Sequence, residues 1–90
     1  IQVVGPSMIP KYNPRDYALV EPGTDPDIED DVLVRLENGQ TLLKRLLSRR
    51  GHVRLGSYND PEILVYEKEE VTWMYYVAYP VPARKIKTRL

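Results

Sequence analysis

The sequence predicts a mostly β domain built from several curved antiparallel sheets. Three observations point there. Asn38-Gly39 stands between two apolar runs, Val32 to Leu36 and Thr41 to Leu47, the strongest short-range signal for a hairpin. Val71 to Tyr79 is dense in the β-branched and aromatic residues that suit a pleated, half-buried surface. Pro6, Pro10 and Pro14 deny a regular helix to the segment around them, and short apolar runs alternate with turn residues along the rest of the chain.

Taken in order, Ile1 to Val4 opens as a short strand and Gly5 to Pro14 is a turn region. Tyr17 to Val20 is the next strand, and Glu21 to Asp31 a loop rich in Pro, Gly and Asp. The hairpin follows. Leu42, Leu43, Leu46 and Leu47 also satisfy helical spacing, a competing pattern that Asn38-Gly39 and the β-branched partner run outweigh. With a two-residue loop, Glu37 faces Gln40, Leu36 faces Thr41, Val34 faces Leu43, and Leu33 faces Lys44. Ser48 to Gly51 and Gly56 to Pro61 are turns. His52 to Leu55, Glu62 to Tyr66 and Val71 to Tyr79 supply the remaining strands. Residues 1–80 then form one domain, and 81–90 a basic arm carrying Arg84, Lys85, Lys87 and Arg89.

Composition removes several functions. The chain has 90 residues, enough for one small core. Thirteen Lys and Arg balance 13 Asp and Glu, so no general field draws this domain to nucleic acid or to an anionic membrane. Without cysteine there is no disulfide framework and no thiolate metal site, which fits a reducing, cytoplasmic setting. No cofactor or metal is expected. Counted from Asp25, the acidic loop has Asp30 where a calcium loop needs its sixth-position glycine and Leu36 where it needs its twelfth-position glutamate. Apolar runs fall far short of the roughly 20 residues that span a bilayer, so no membrane partner is expected. The chain starts at Ile1 rather than Met, which is expected of a piece of a longer protein.

The chemistry-bearing candidates are Ser7 and Lys44. Ser7 follows the run Val3-Val4-Gly5-Pro6 and precedes Met8-Ile9-Pro10, so a sharp turn at the end of a strand presents its hydroxyl. A serine hydroxyl needs a neighbour to take its proton, and His52 is the only histidine. Lysine is the remaining base. Apolar neighbours on a strand disfavour an ammonium and favour the free amine that a base requires. Backbone N–H groups at the serine turn are the natural oxyanion donors, Ser7 first and Met8 second. Each residue also has an ordinary reading, Ser7 as a turn serine and Lys44 as a solvated strand lysine. Asp16 reads as a turn-capping or buried aspartate rather than a third catalytic group.

Ser7-Met8-Ile9-Pro10, Asp16 within Pro14 to Val20, and Lys44-Arg45 in a later apolar run resemble the peptidase domain of the LexA and phage-repressor (S24) family. That family shares its serine-lysine dyad with signal peptidases. The resemblance extends from Val4 to about Tyr79 and includes Asp31 to Val34 and Ser57-Tyr58-Asn59-Asp60-Pro61. Two positions depart from it. The Gly-Asp usual before the serine is Gly5-Pro6 here, and the glycine usual before the second aspartate is Arg15. The resemblance implies a LexA/signal-peptidase-like fold and self-cleavage of an Ala-Gly or Cys-Gly bond in an upstream linker. It also implies a DNA-binding domain beyond that linker, a homodimer, and cleavage promoted by a RecA filament. This chain contains neither dipeptide. Part of the aromatic strand around Trp73, Tyr75, Tyr76 and Tyr79 is then expected to serve self-association. Two alternatives share the fold: a dimerisation module with an idle dyad, and an accessory subunit of an SOS mutagenesis polymerase.

Overall fold

The computed structural model describes residues 1–85 and has six strands, β1 (Tyr17–Glu21), β2 (Asp31–Leu36), β3 (Thr41–Ser48), β4 (Val53–Gly56), β5 (Leu64–Tyr66) and β6 (Val71–Val81). They form a single curled antiparallel sheet in the order β1-β6-β2-β3-β4-β5, so the expected mostly-β fold is present. Irregular pairings at Leu19/Val20, Arg35/Leu36 and Leu46/Ser48 bend the strands, since an extra residue on one side of a ladder increases local twist. The N-terminal segment adds to the outer edge of β1. Ala18 N–H donates to Ile1 O at 2.8 Å, and Val3 N–H donates to Asp16 O at 2.7 Å.

β2 is the strand buried on both faces. Val32, Val34 and Leu36 enter one apolar cluster with Leu46, Val53 and Leu55. Leu33 enters the other, with Val3, Met8, Tyr12, Ala18 and Val77. The continuous apolar run of β2 is what such two-sided burial demands. Leu42, Leu43, Leu46 and Leu47 are strand residues despite their helical spacing, because β3 pairs with β2 on one side and β4 on the other.

The hairpin register differs by one residue from the expected one. Leu33 faces Leu43, Val34 faces Leu42, and Lys44 faces Val32 rather than Leu33. The loop has three residues rather than two. Gly39 N–H donates to Leu36 O at 3.0 Å, Leu36 N–H donates to Gln40 O at 2.9 Å, and Gly39 takes φ +92°. This is the turn that ends in one left-handed residue, and glycine supplies that residue without steric cost. Asn38 Oδ1 accepts from Gln40 N–H at 2.9 Å and closes the loop. The register also keeps Val34 and Leu42 in one cluster and Leu33 and Leu43 in the other, as the pleat requires.

β6 continues through Pro80 and Val81, which pair with Ala18 and Tyr17, and Ala83–Lys85 form a short 3-10 turn. Lys87 and Arg89 of the basic arm lie outside the described residues. No helix among the described residues is long and apolar enough to cross a membrane.

Arg15, at the position where the resemblance favours glycine, has φ +78°, and its N–H donates to Val3 O at 3.0 Å. The turn therefore keeps its left-handed residue and accepts the strain of a side chain there. Arg15→Gly should raise stability by about 1 kcal/mol, read as a higher urea midpoint at unchanged slope. A lower midpoint would contradict the strain.

Candidate active site

The segment that carries Ser7 is fixed by what flanks it. Met8 is buried to 2% exposure and Tyr12 is fully buried, both in the cluster under β1 and β6. Tyr12 N–H donates to Met8 O at 2.9 Å, and Ile9 N–H to Pro6 O at 3.2 Å, which folds the segment into consecutive turns. Gly5, at φ +82°, starts the reversal. Ser7 is thus the partly exposed residue between a left-handed glycine and a buried methionine.

Lys44 reaches it from the middle of β3. Its Nζ lies 3.3 Å from Ser7 Oγ, across 37 residues of sequence, and 2.8 Å from Ser57 Oγ. All three side chains are partly buried. The longer contact is at the outer limit for a nitrogen–oxygen hydrogen bond. Neither Ser7 N–H nor Met8 N–H has a hydrogen-bond acceptor among the described residues, so both remain able to donate.

Nothing in the sequence pattern assigns Ser57 a role. It lies among turn residues, where serine is common, and its only pointer is the Ser57 to Pro61 segment included in the resemblance. In the fold it follows β4, whose Gly56 pairs with Arg45, and this brings its hydroxyl beside Lys44. The loop is tied to the serine turn by two bonds from Asn59, N–H to Ser7 O at 2.8 Å and Nδ2 to Pro6 O at 3.1 Å.

Asp31, at the start of β2, is the only buried charged side chain among the described residues. Its Oδ2 accepts from Tyr12 Oη at 2.7 Å and pairs with Lys11 Nζ at 2.6 Å, while Oδ1 accepts from Tyr58 Oη at 2.6 Å. Burial pushes both phenols up, and the carboxylate beside them pushes the same way. Burial alone would lower Lys11, but the hydrogen bond and charge of Asp31 outweigh it and hold the ammonium above its ordinary range.

The remaining candidates are elsewhere. Asp16 caps a turn, its carboxylate accepting from Asn13 N–H and Ala83 N–H at 3.3 Å each. His52 is exposed, with Nε2 3.1 Å from Glu67 Oε1. Trp73 stacks on Tyr75 at 4.6 Å and packs against the cluster of Met8 and Tyr12, whereas Tyr79 is half exposed opposite Leu19.

Ile1–Val4, expected as a strand, makes only an isolated bridge, Gln2 to Tyr17, and a cleft of about 160 Å³ lies between this segment and Leu33, Thr41 and Leu43. Neither it nor a larger cleft of about 390 Å³, lined by Arg49, Val53, Lys68, Val71, Trp73 and Met74, has Ser7, Lys44 or Ser57 in its lining.

The profile of the Peptidase S24-like family matches residues 1–77. The chain belongs to that family. No curated protein and no solved structure gave a significant match. The S24-like match covers Ser7, Lys44 and Ser57 alike, as well as Asp31, Tyr12 and Tyr58.

The raised protonation ranges of Tyr12, Tyr58 and Lys11 set the sign of an alkaline effect. Groups that hold their protons more tightly when folded contribute stability below their unfolded values of about 10, and that stability is lost as pH rises beyond. Unfolding free energy should fall above about pH 10, and Tyr58→Phe should make the fall shallower. Urea titrations at successive pH values check this, and an equally steep fall in Tyr58→Phe would contradict it.

Proposed function

We propose that this S24-like domain is a self-cleaving serine peptidase, with Ser7 as nucleophile and Lys44 as general base. The contact of Lys44 Nζ with Ser7 Oγ at 3.3 Å carries the reading. A neutral amine has one lone pair and two N–H bonds. Donating one N–H to Ser57 Oγ leaves the lone pair free to accept from the Ser7 hydroxyl.

Ser7 Oγ attacks the scissile carbonyl carbon as the amine takes the hydroxyl proton. The backbone N–H of Ser7, with that of Met8, donates to the oxyanion. Lys44 passes the proton to the leaving nitrogen as the C–N bond breaks, which leaves an ester on Ser7. Water, deprotonated by the same amine, hydrolyses the ester and returns the free hydroxyl.

Family resemblance supplies the biological setting of the proposal. The substrate is an Ala-Gly or Cys-Gly bond in the chain's own upstream linker, which joins this domain to a DNA-binding domain in a cytoplasmic transcriptional repressor of the phage or LexA type. Cleavage is promoted by a RecA filament. The domain forms a homodimer and makes no direct contact with nucleic acid. Tyr79 and Leu19, both more than a third exposed and paired across β1 and β6, are available to such a dimer.

The test restores an upstream segment and follows intact mass between about pH 7 and pH 10. The rate should climb with pH. Ser7→Ala and Lys44→Ala, confirmed folded, should lower it by about 10³-fold or more. Ser57→Ala should lower it by about 10–100-fold and still yield product, as expected for a group that only orients the base. Folded wild type that leaves the bond intact at alkaline pH would overturn the peptidase reading in favour of a dimerisation module.

A further inference from the structure

The two hydroxyls that meet Lys44 belong to different segments, and the three donors to Asp31 belong to the same two. Lys11 and Tyr12 lie on the turn that carries Ser7, and Tyr58 is next to Ser57. Asp31 faces Arg45 across the β2–β3 ladder, one position from Lys44, and the Arg45 guanidinium lies 5.7 Å over the Tyr58 ring. A surface ion pair would not hold such an arrangement, but this carboxylate has no exposed side-chain area and all three of its partners are donors.

We propose that Asp31 is a positioning residue for the Ser7–Lys44 pair: by gripping Tyr12 and Lys11 on one side and Tyr58 on the other, it sets the separation of the Ser7 and Ser57 hydroxyls between which the lysine amine sits. The proposal rests on the peptidase reading for its kinetic consequence and on geometry alone for its structural one. Asn59 makes the direct contact between the two segments, to Ser7 O and Pro6 O. Asp31 fixes both of them to the strand beside the base. Losing that grip leaves the three groups on their elements and lets the turn and the loop drift apart. Displacements of about 1 Å at reacting atoms cost up to about 10²-fold in rate.

Asp31→Asn is the informative change. An amide has one acceptor oxygen, a donating nitrogen and no charge, so it cannot accept from all three donors and it loses the ionic hold on Lys11. Two readouts are taken on folded protein. The first is the nuclear Overhauser contact between the Lys44 ε-protons and the Ser7 β-protons. The second is cleavage in trans of a peptide spanning the scissile bond, with kcat and KM measured separately. The expected result is loss of the Overhauser contact and a fall of about 10–100-fold in kcat at unchanged KM, while signals of the Val32–Leu46 cluster keep their positions. Tyr58→Phe should show the same pattern to a smaller degree, and it stands in for Asp31→Asn if that variant does not fold. A folded variant that keeps the contact and cleaves within about twofold of wild type overturns the proposal, as does a loss confined to KM. Wild type that shows the contact but cleaves nothing refutes the peptidase reading instead, and the Overhauser measurement on the variants still decides whether Asp31 positions the pair.

Discussion

A single amine held between two hydroxyls organises this domain. Lys44 can reach Ser7 only if β3 runs beside β2, if the N-terminal segment folds back along β1, and if the loop after β4 returns against the serine turn. Each condition has its own physical source. The Asn38-Gly39 loop sets the β2–β3 register, Met8 and Tyr12 anchor the turn by burial, and Asn59 ties the loop to the backbone of Pro6 and Ser7. None of these contacts touches the amine, yet together they place it.

The cost of the arrangement falls on polar groups that the fold buries and then satisfies. No buried side-chain nitrogen or oxygen among the described residues lacks a hydrogen-bond partner, although a carboxylate and a phenol sit in the interior. Asp31 is the extreme case, since an unpaired buried carboxylate would be strongly destabilising and this one has three donors. The same contacts join strand β2 to the two segments that meet at Lys44. Stability and placement of the site thus draw on one network.

Most of the strands, and the nearness of Ser7 to Lys44, were legible in the sequence, for identifiable reasons. Asn38-Gly39 announced the hairpin, and the β-branched run of β2 outweighed the helical spacing of the leucines in β3. The loop length was not legible, because Asn-Gly serves a two-residue turn and also a three-residue turn ending in a left-handed glycine; only the sorting of leucines between two clusters decides between them. Arg15 hid a left-handed position that a glycine would have declared. Ser57 and the donors to Asp31 escaped for another reason. Serine and tyrosine near a turn carry no periodic signal, and their roles exist only once the curl of the sheet brings residues 7, 31, 44 and 57 together.

The central claim is that the Lys44 amine makes the Ser7 hydroxyl a nucleophile. Its most direct measurement needs no upstream segment: the chain is exposed to a fluorophosphonate, and the modified residue is located by peptide mass mapping in wild type and in Lys44→Met. The account predicts one adduct, on Ser7, that forms faster as pH rises and is absent from folded Lys44→Met. Equal labelling of Ser7 in both proteins, or none in folded wild type, would contradict it.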